Sequence, residues 1–314
     1  MTPSRPEADP WAIPEVPLLS RTGHDRRADV RDDPEYLQHA WHDPATRVLL
    51  LSADGAAQIA AGPDLVLRSP AEAAVPGIRV YLGAVGDTDF FAVLADAALP
   101  GQESWATLRD VGARLTDRDV GLLTTAVALQ AWHHRHPHCP RCGALTRPAR
   151  AGWIRSCPVD GSEHFPRTDP AVIMLVHDGQ GRCVLARGPQ WAPGRMSVLA
   201  GFVKAGESAE AAVAREVGEE VGIKVRDIRY AGSQPHPFPA SLMLGFTARL
   251  DGDPTLRIDG TEIVEAGWFT REQVRATGEW GDEAAGPDAP PLRGLPPSMS
   301  IARQLINTWL AAAD

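Results

Sequence analysis

The sequence runs to 314 residues, 44% of them hydrophobic, enough to bury the cores of two ordinary domains and a small module. Its formal net charge of −9 excludes a broad electrostatic surface for nucleic acid, which needs clustered Lys and Arg, so anionic substrates would have to be met through metal ions. The longest apolar runs, such as Ala171 to Val176 and Phe90 to Leu94, fall well short of the roughly 18 residues a membrane helix requires, and the first ten residues hold Pro, Asp, Glu and Arg without an apolar signal core; a soluble cytoplasmic protein is the expectation.

Residues 1–32 are rich in Pro, Arg and Asp with no apolar period and read as a poorly ordered leader. From Asp33 to residue 137 a short helix and the runs Arg47 to Leu51, Gly77 to Leu82 and Phe90 to Leu94 alternate with Gly- and Asp-bearing turns, which reads as a small α/β domain. A long helix closes it after Thr116, where Asp119 stands at the spacing of a capping box and Val120, Leu123, Val127 and Trp132 fall near one face. Residues 138–167 are turn-rich and too short to hold a core without a staple. From residue 168 to 314 the strand-like runs Ala171 to Val176, Cys183 to Ala186 and Leu242 to Phe246 and the helical stretches Glu207 to Val221 and Ser300 to Ala312 give a second α/β domain, with an exposed loop expected between Gly278 and Pro297. No internal repeat is visible at a solenoid period.

Four cysteines occur. Cys183 sits in an apolar run and reads as a small hydrophobe in a buried strand. Cys139, Cys142 and Cys157 cluster, and Cys157-Pro-Val-Asp160 repeats the Cys139-Pro-Arg-Cys142 spacing with its last thiolate replaced. That is the layout of a structural zinc site, for which Asp160 is the first choice of fourth ligand and His164 the second; a metal-free turn is the alternative.

The stretch Gly201 to Ile223 carries the chemistry. Ser208 is placed to cap a helix that Gly222 ends, so Glu216, Glu219 and Glu220 stand at i, i+3 and i+4 on one face. Their mutual repulsion calls for a partner, and a hard divalent cation such as Mg²⁺ or Mn²⁺ prefers such oxygens and bridges them to phosphate. A solvated acidic face is the bland alternative. Further on, prolines at 235, 237 and 239 make Ser233 to Ser241 either a stiff extended loop that presents His236 and Phe238 to a nucleobase or an irregular connection.

Every specified position of Gly201 to Ile223 matches the Nudix box, G-x5-E-x7-R-E-U-x-E-E-x-G-U with U aliphatic, and Ser233-Gln-Pro-His-Pro-Phe-Pro-Ala-Ser241 resembles the S-Q-P-W-P-F-P-x-S signature of the NADH pyrophosphatase branch of that superfamily. His236 departs from it, standing where the branch has Trp. The resemblance implies an N-terminal α/β domain, a zinc ribbon and a Nudix α/β/α sandwich. It implies Glu216, Glu219 and Glu220 as ligands of Mg²⁺ or Mn²⁺, Glu219 alternatively as water-activating base, Arg215 as orienting partner of Glu207, and Glu262 as a further metal ligand with Glu265 in reserve. It also implies substrate contacts from Phe165, Phe202, Ser233, Gln234, His236, Phe238, Ser241 and Ala302, with the loop forming part of a homodimer interface. The activity implied is metal-dependent hydrolysis of NADH or NAD⁺ to AMP and nicotinamide mononucleotide, with removal of the 5′ cap of NAD-capped RNA as a second activity. The rivals are an ADP-ribose or other nucleoside-diphosphate-sugar pyrophosphatase and, from another class, a non-catalytic nucleotide sensor or zinc-ribbon adaptor.

Overall fold

In the computed structural model, which describes residues 11–99, 104–258, 260–281 and 290–312, contacts divide the chain into two units. Among the described residues, the N-terminal unit comprises Leu18–Thr168 together with Pro235–Ser241, and the second, termed the Nudix unit for the Nudix-box stretch it carries, comprises 11–17, Asp169–Gln234 and the residues from Leu242 onward.

In the N-terminal unit α1 (Pro34–His42) starts where Asp33 accepts from the Tyr36 amide and Pro34 occupies a first-turn position that needs no donor. There follow β1 (Arg47–Leu51), β2 (Ala56–Gln58), β3 (Leu67–Arg68), β4 (Gly77–Val85), β5 (Thr88–Ala95), β6 (Trp105–Thr107), α2 (Leu108–Val111) and α3 (Asp117–Arg135). The sheet order is β4-β5-β1-β2-β6 with β3 on β1, and only β1 and β5 run parallel among its described pairs. Alternate residues Val48 and Leu50 of β1 and Phe91 and Val93 of β5 pack with Ala40, Leu37 and Trp41 of α1, while α3 lies against β1, β4 and β5. Thr116 caps α3 as expected, accepting from the Asp119 amide at 3.3 Å. Asp119 does not close the box. Its fully buried carboxylate accepts from the Leu65 amide at 2.8 Å and pairs with Arg118 at 2.6 Å, because a buried charge must find partners wherever the tertiary fold offers them.

The cysteine-bearing segment forms a three-stranded antiparallel sheet of β7 (Arg147–Ala149), β8 (Ile154–Ser156) and β9 (Glu163–His164). It is tied to α3 by Arg155, whose Nη1 lies 3.0 Å from His133 Nδ1 while His133 Nε2 lies 2.8 Å from the Gly152 carbonyl.

The Nudix unit contains β10 (Asp169–His177), β11 (Arg182–Arg187), β12 (Leu199–Phe202), α4 (Ala209–Val221), β13 (Lys224–His236), β14 (Ser241–Asp251), β15 (Glu265–Thr270), α5 (Arg271–Arg275) and α6 (Ile301–Ala311). Strand alternation splits its core in two. Val172, Met174, Val176, Val184 and Ala186 pack against Ala212, Val213, Val217 and Val221 of α4, and Ile173, Leu175, Cys183 and Leu185 pack against Ile301, Leu305, Ile306 and Trp309 of α6. This is the α/β/α sandwich. Cys183 is fully buried, and burial pushes its thiol above the ordinary range, consistent with a packing role.

The two sheets share one connectivity. The order β13-β14-β10-β11-β15 with β12 on β10 repeats β4-β5-β1-β2-β6 with β3 on β1, strand for strand. After the last strand of each, a Thr capping box (Thr107 or Thr270) opens a short helix that precedes a longer one. They differ at one crossover: α4 lies between β12 and β13, whereas the chain from Arg68 to Gly77 joins β3 to β4 without a helix, and α1 covers the sheet face left open.

Two expectations need correction. The first 32 residues are not a poorly ordered leader from Trp11 onward: Trp11 stacks on His177 with ring centroids 4.5 Å apart, the Ile13 amide donates to Ala231 O at 2.9 Å, and Leu19 and Val30 are buried. Single anchors that dock on another element leave no apolar period to read; residues 1–10 lie outside the described residues. The expected loop between Gly278 and Pro297 is held at both ends, by Trp280 N–H to Leu295 O at 2.9 Å and by burial of Leu292 and Leu295, while its residues 282–289 lie outside the described residues. Among the described residues no helix is long and apolar enough to cross a membrane.

Candidate active site and metal centre

α4 begins at Ser208, whose hydroxyl accepts from the Ala211 amide at 3.2 Å, and ends at Gly222 in the left-handed region at φ 70°. Between these caps the helix turns Glu216 and Glu220 inward, both buried, and leaves Glu219 exposed. Arg215 organises the rest. Its Nε and Nη2 donate to the two oxygens of Glu207 at 2.8 and 2.7 Å, Nη1 donates to Glu216 at 2.7 Å and to Glu219 at 2.8 Å, and Nη2 also reaches Phe202 O at 3.0 Å. All five guanidinium N–H groups are thereby engaged. Arg215 holds the Glu207 carboxyl down to about 2, with the Lys204 amide assisting, and lowers Glu219 as well.

Gly201 fits this arrangement. It lies on β12 paired with Val172, and a Cβ there would stand 2.0 Å from Glu216 Cδ, so only glycine leaves room for that carboxylate. Three carboxylates meet two cations, Arg215 and Lys204, the latter 3.3 Å from Glu219, before buried Glu220 is counted. An all-oxygen, acidic donor set of this kind suits a hard divalent cation. The box carboxylates are spread around Arg215 and do not converge on one point here. Glu262 is exposed on the loop before β15, whereas Glu265 is committed to Arg187 at 3.0 Å.

The ribbon does converge. One ligand atom each from Cys139, Cys142, Cys157 and Asp160 lies within 4.8 Å of the others, which accommodates tetrahedral zinc, with Zn–S bonds of about 2.3 Å. Tight turns present them: Gly143 N–H donates to Cys139 O at 2.9 Å and Gly161 N–H to Cys157 O at 3.0 Å. Asp160 is aimed by Ser162, whose hydroxyl and amide bond Oδ1 at 2.5 and 2.9 Å and hold the carboxyl well below its ordinary range, leaving Oδ2 3.5 Å from Cys139 Sγ. His164 stands behind, with Nε2 3.0 Å from Ser162 Oγ.

Three family models cover the chain in succession: a NADH pyrophosphatase-like rudimentary NUDIX domain over residues 44–132, the NADH pyrophosphatase zinc ribbon domain over 134–165 and the NUDIX domain over 167–288. The NAD-capped RNA hydrolase NudC of Mycobacterium tuberculosis is 44% identical over 308 residues, spanning 94% of this chain and 95% of its own length. The chain belongs to the NudC family of Nudix hydrolases. A NudC of Deinococcus radiodurans is 38% identical over 74% of this chain and 77% of its own, and the human NAD-capped RNA hydrolase NUDT12 is 39% identical over 63% of this chain and 43% of its own. The unit without a box helix is thus this family's rudimentary Nudix domain.

The remaining NudC-type positions fall in different settings. Phe165 and Phe202 are exposed aromatics, 64% and 59%, which removes a core-packing role for Phe165. Ser233 and Ser241 flank the proline loop and are half-buried. Gln234 is buried, with Nε2 donating to Met299 O at 2.8 Å and Oε1 accepting from the Ile301 amide at 2.6 Å, so its amide ties β13 to the start of α6. Ala302 is buried in the α6 core. His236 is half-buried, and burial followed by the charge of Arg109 holds its imidazole below the ordinary value, hence neutral at pH 7. Two neighbours escaped the sequence reading: Lys204, an unspecified position of the box, and Arg109, which no motif marks.

Proposed function

We propose that this NudC-family hydrolase cleaves the pyrophosphate of NADH and NAD⁺ to AMP and nicotinamide mononucleotide and removes NAD caps from RNA, acting as a cytoplasmic homodimer. The activity named for its relatives in Mycobacterium tuberculosis and Deinococcus radiodurans supports the substrate class, and the five bonds of Arg215 to Glu207, Glu216, Glu219 and Phe202 O carry the assignment of the centre. We assign the chain as residues 33–137, a ribbon at 138–167 and a catalytic domain at 168–314.

Glu216, Glu219, Glu220 and Glu262 would hold Mg²⁺ or Mn²⁺; bound there, the metal supplies charge neutralisation of the diphosphate and an acidified water. Arg215 keeps Glu207 ionised and orients both Glu207 and Glu216. Glu219, exposed and held anionic, is either a further ligand or the acceptor of the water proton. Phe165, Phe202, His236 and Phe238 offer flat surfaces to the nucleotide, Ser233 and Ser241 offer hydroxyls, and buried Gln234 and Ala302 act through backbone and shape. Cys139, Cys142, Cys157 and Asp160 hold structural Zn²⁺.

The test is hydrolysis of NADH, NAD⁺, NAD-capped RNA and ADP-ribose with Mg²⁺, with Mn²⁺ and with chelator, products resolved by chromatography and mass by sedimentation. Metal-dependent release of AMP and nicotinamide mononucleotide from a dimer is expected, with Glu220→Gln slower by at least about 100-fold. ADP-ribose as the fastest substrate would instead favour the pyrophosphatase reading that His236 in place of Trp keeps open, and an active Glu220→Gln enzyme would refute the metal assignment.

A further inference from the structure

The proline loop has an unassigned partner within the N-terminal unit. The β1–β2 turn, the start of α2 and the last turns of α3 frame a cleft of about 450 Å³, to which the loop contributes Pro237, Phe238 and Pro239. Arg109, the second residue of α2, lays its guanidinium over the Phe238 ring, 3.8 Å from the centroid. His236 meets the same ring edge-on with centroids 4.9 Å apart, and Pro237 is buried. One face of Phe238 is therefore spent on the protein itself.

The repeated connectivity supplies a second view of this cleft. Its counterpart in the Nudix unit, between the β10–β11 turn, the start of α5 and the end of α6, encloses about 210 Å³ and holds Trp11 stacked on His177. At the equivalent place of both Nudix-type sheets, an aromatic from a segment remote in sequence is clamped by its ring face.

We propose that Arg109 is a positioning residue for the substrate loop: its stack on Phe238, within the N-terminal unit, fixes Pro235–Ser241 in the geometry in which the loop receives the nucleotide. This rests on the reading of that loop as a substrate-binding element. The three prolines already restrict the loop's internal freedom, so its remaining freedom is rigid-body displacement, and a ring clamped at the tip removes it. A cation over an aromatic face holds with a strength that translates into a several-fold change in affinity.

The experiment is steady-state NADH hydrolysis by the full-length holoenzyme and by Arg109→Ala, Arg109→Lys, Phe238→Leu and the Arg109→Ala/Phe238→Leu double variant, with amide hydrogen exchange of residues 235–241. Arg109 is exposed, so its removal leaves the core intact. Arg109→Ala is expected to raise KM about three- to ten-fold with kcat within about two-fold and to speed exchange in the loop. Arg109→Lys should recover part of the loss, and the double variant should be no worse than the poorer single one. Unchanged KM and exchange would overturn the proposal, as would a fall in kcat at constant KM. Faster exchange with unchanged KM would uphold the clamp while refuting the substrate role of the loop, and a wild-type enzyme inert toward NADH would refute the functional reading by itself.

Discussion

Gly201 and Glu216 show how little room separates structure from chemistry at a single residue. A methyl group at 201 would overlap the Glu216 carboxylate carbon at 2.0 Å, and the clash falls on a side chain pinned by Arg215 rather than on one free to swing. Gly201→Ala is therefore expected to cut kcat by about 100-fold, the scale of a 1 Å misplacement, while the circular dichroism spectrum and unfolding midpoint stay near wild type; retained activity would show that Glu216 need not lie where it does. The box motif made Gly201, Glu207, Arg215, Glu216, Glu219 and Glu220 legible in the sequence. It did not reveal that Gln234 would spend both ends of its amide on Met299 and Ile301, since a hydrogen bond to a backbone atom across 65 or 67 positions of chain leaves no local trace.

Short elements depend on their staples. The ribbon strands β7, β8 and β9 have two or three residues each, too few to fold on hydrogen bonds alone. With Asp160 as the proposed fourth ligand beside three cysteines, the site would be harder in ligand character than four thiolates, and Ser162 holds the Asp160 carboxylate through both its hydroxyl and its amide. Asp160→Cys is expected to slow zinc loss to a chromogenic chelator by about ten-fold or more and Asp160→Ala to speed it by a similar factor, with metal counted by elemental analysis; a protein that purifies without zinc, or chelation rates indifferent to residue 160, would count against the ribbon assignment. Cysteine spacing made this element readable, as continuous apolar runs did β1, β5, β10 and β11. The run Gly77–Leu82 marked β4 only in part, because β4 runs on to Val85 through a register irregularity between Tyr81 and Gly83.

For the whole chain, acid sensitivity follows from two buried imidazoles, one in each unit. Burial lowers both His133 and His177 from 6.5 to about 4, with Arg155 adding to the first and Arg249 to the second. The unfolded chain takes up these protons near pH 6.5 and the folded chain only near 4, so their contribution is complete above 6.5 and is lost as pH falls across that window. Glu207, lowered to about 2, acts with the same sign at lower pH. The urea midpoint should be flat above about pH 7 and fall from 6.5 to 4, with the His133→Gln/His177→Gln double variant showing the smaller slope; equal slopes would exclude these histidines as the cause. What stayed illegible at this scale was the duplication. The sequence carries it only as short echoes, Asp54-Gly55 against Asp178-Gly179 and the capping box of Thr107 against that of Thr270, and such turn and cap signals are too common to reveal a repeat; sheet connectivity is stored in which strands pair, which the residues of a single strand do not state.

The helix-free crossover from Arg68 to Gly77 gives this fold a modular reading. The box residues Glu207, Arg215, Glu216, Glu219 and Glu220 all lie in one segment between the third and fourth strands, and the same strand order recurs without that segment in the N-terminal unit. A helix grafted at the equivalent junction of the rudimentary domain would meet an occupied surface, since Leu37, Ala40 and Trp41 of α1 pack on the sheet face that α4 takes in the Nudix unit; such a graft calls for the removal of α1 as well as the insertion of a segment.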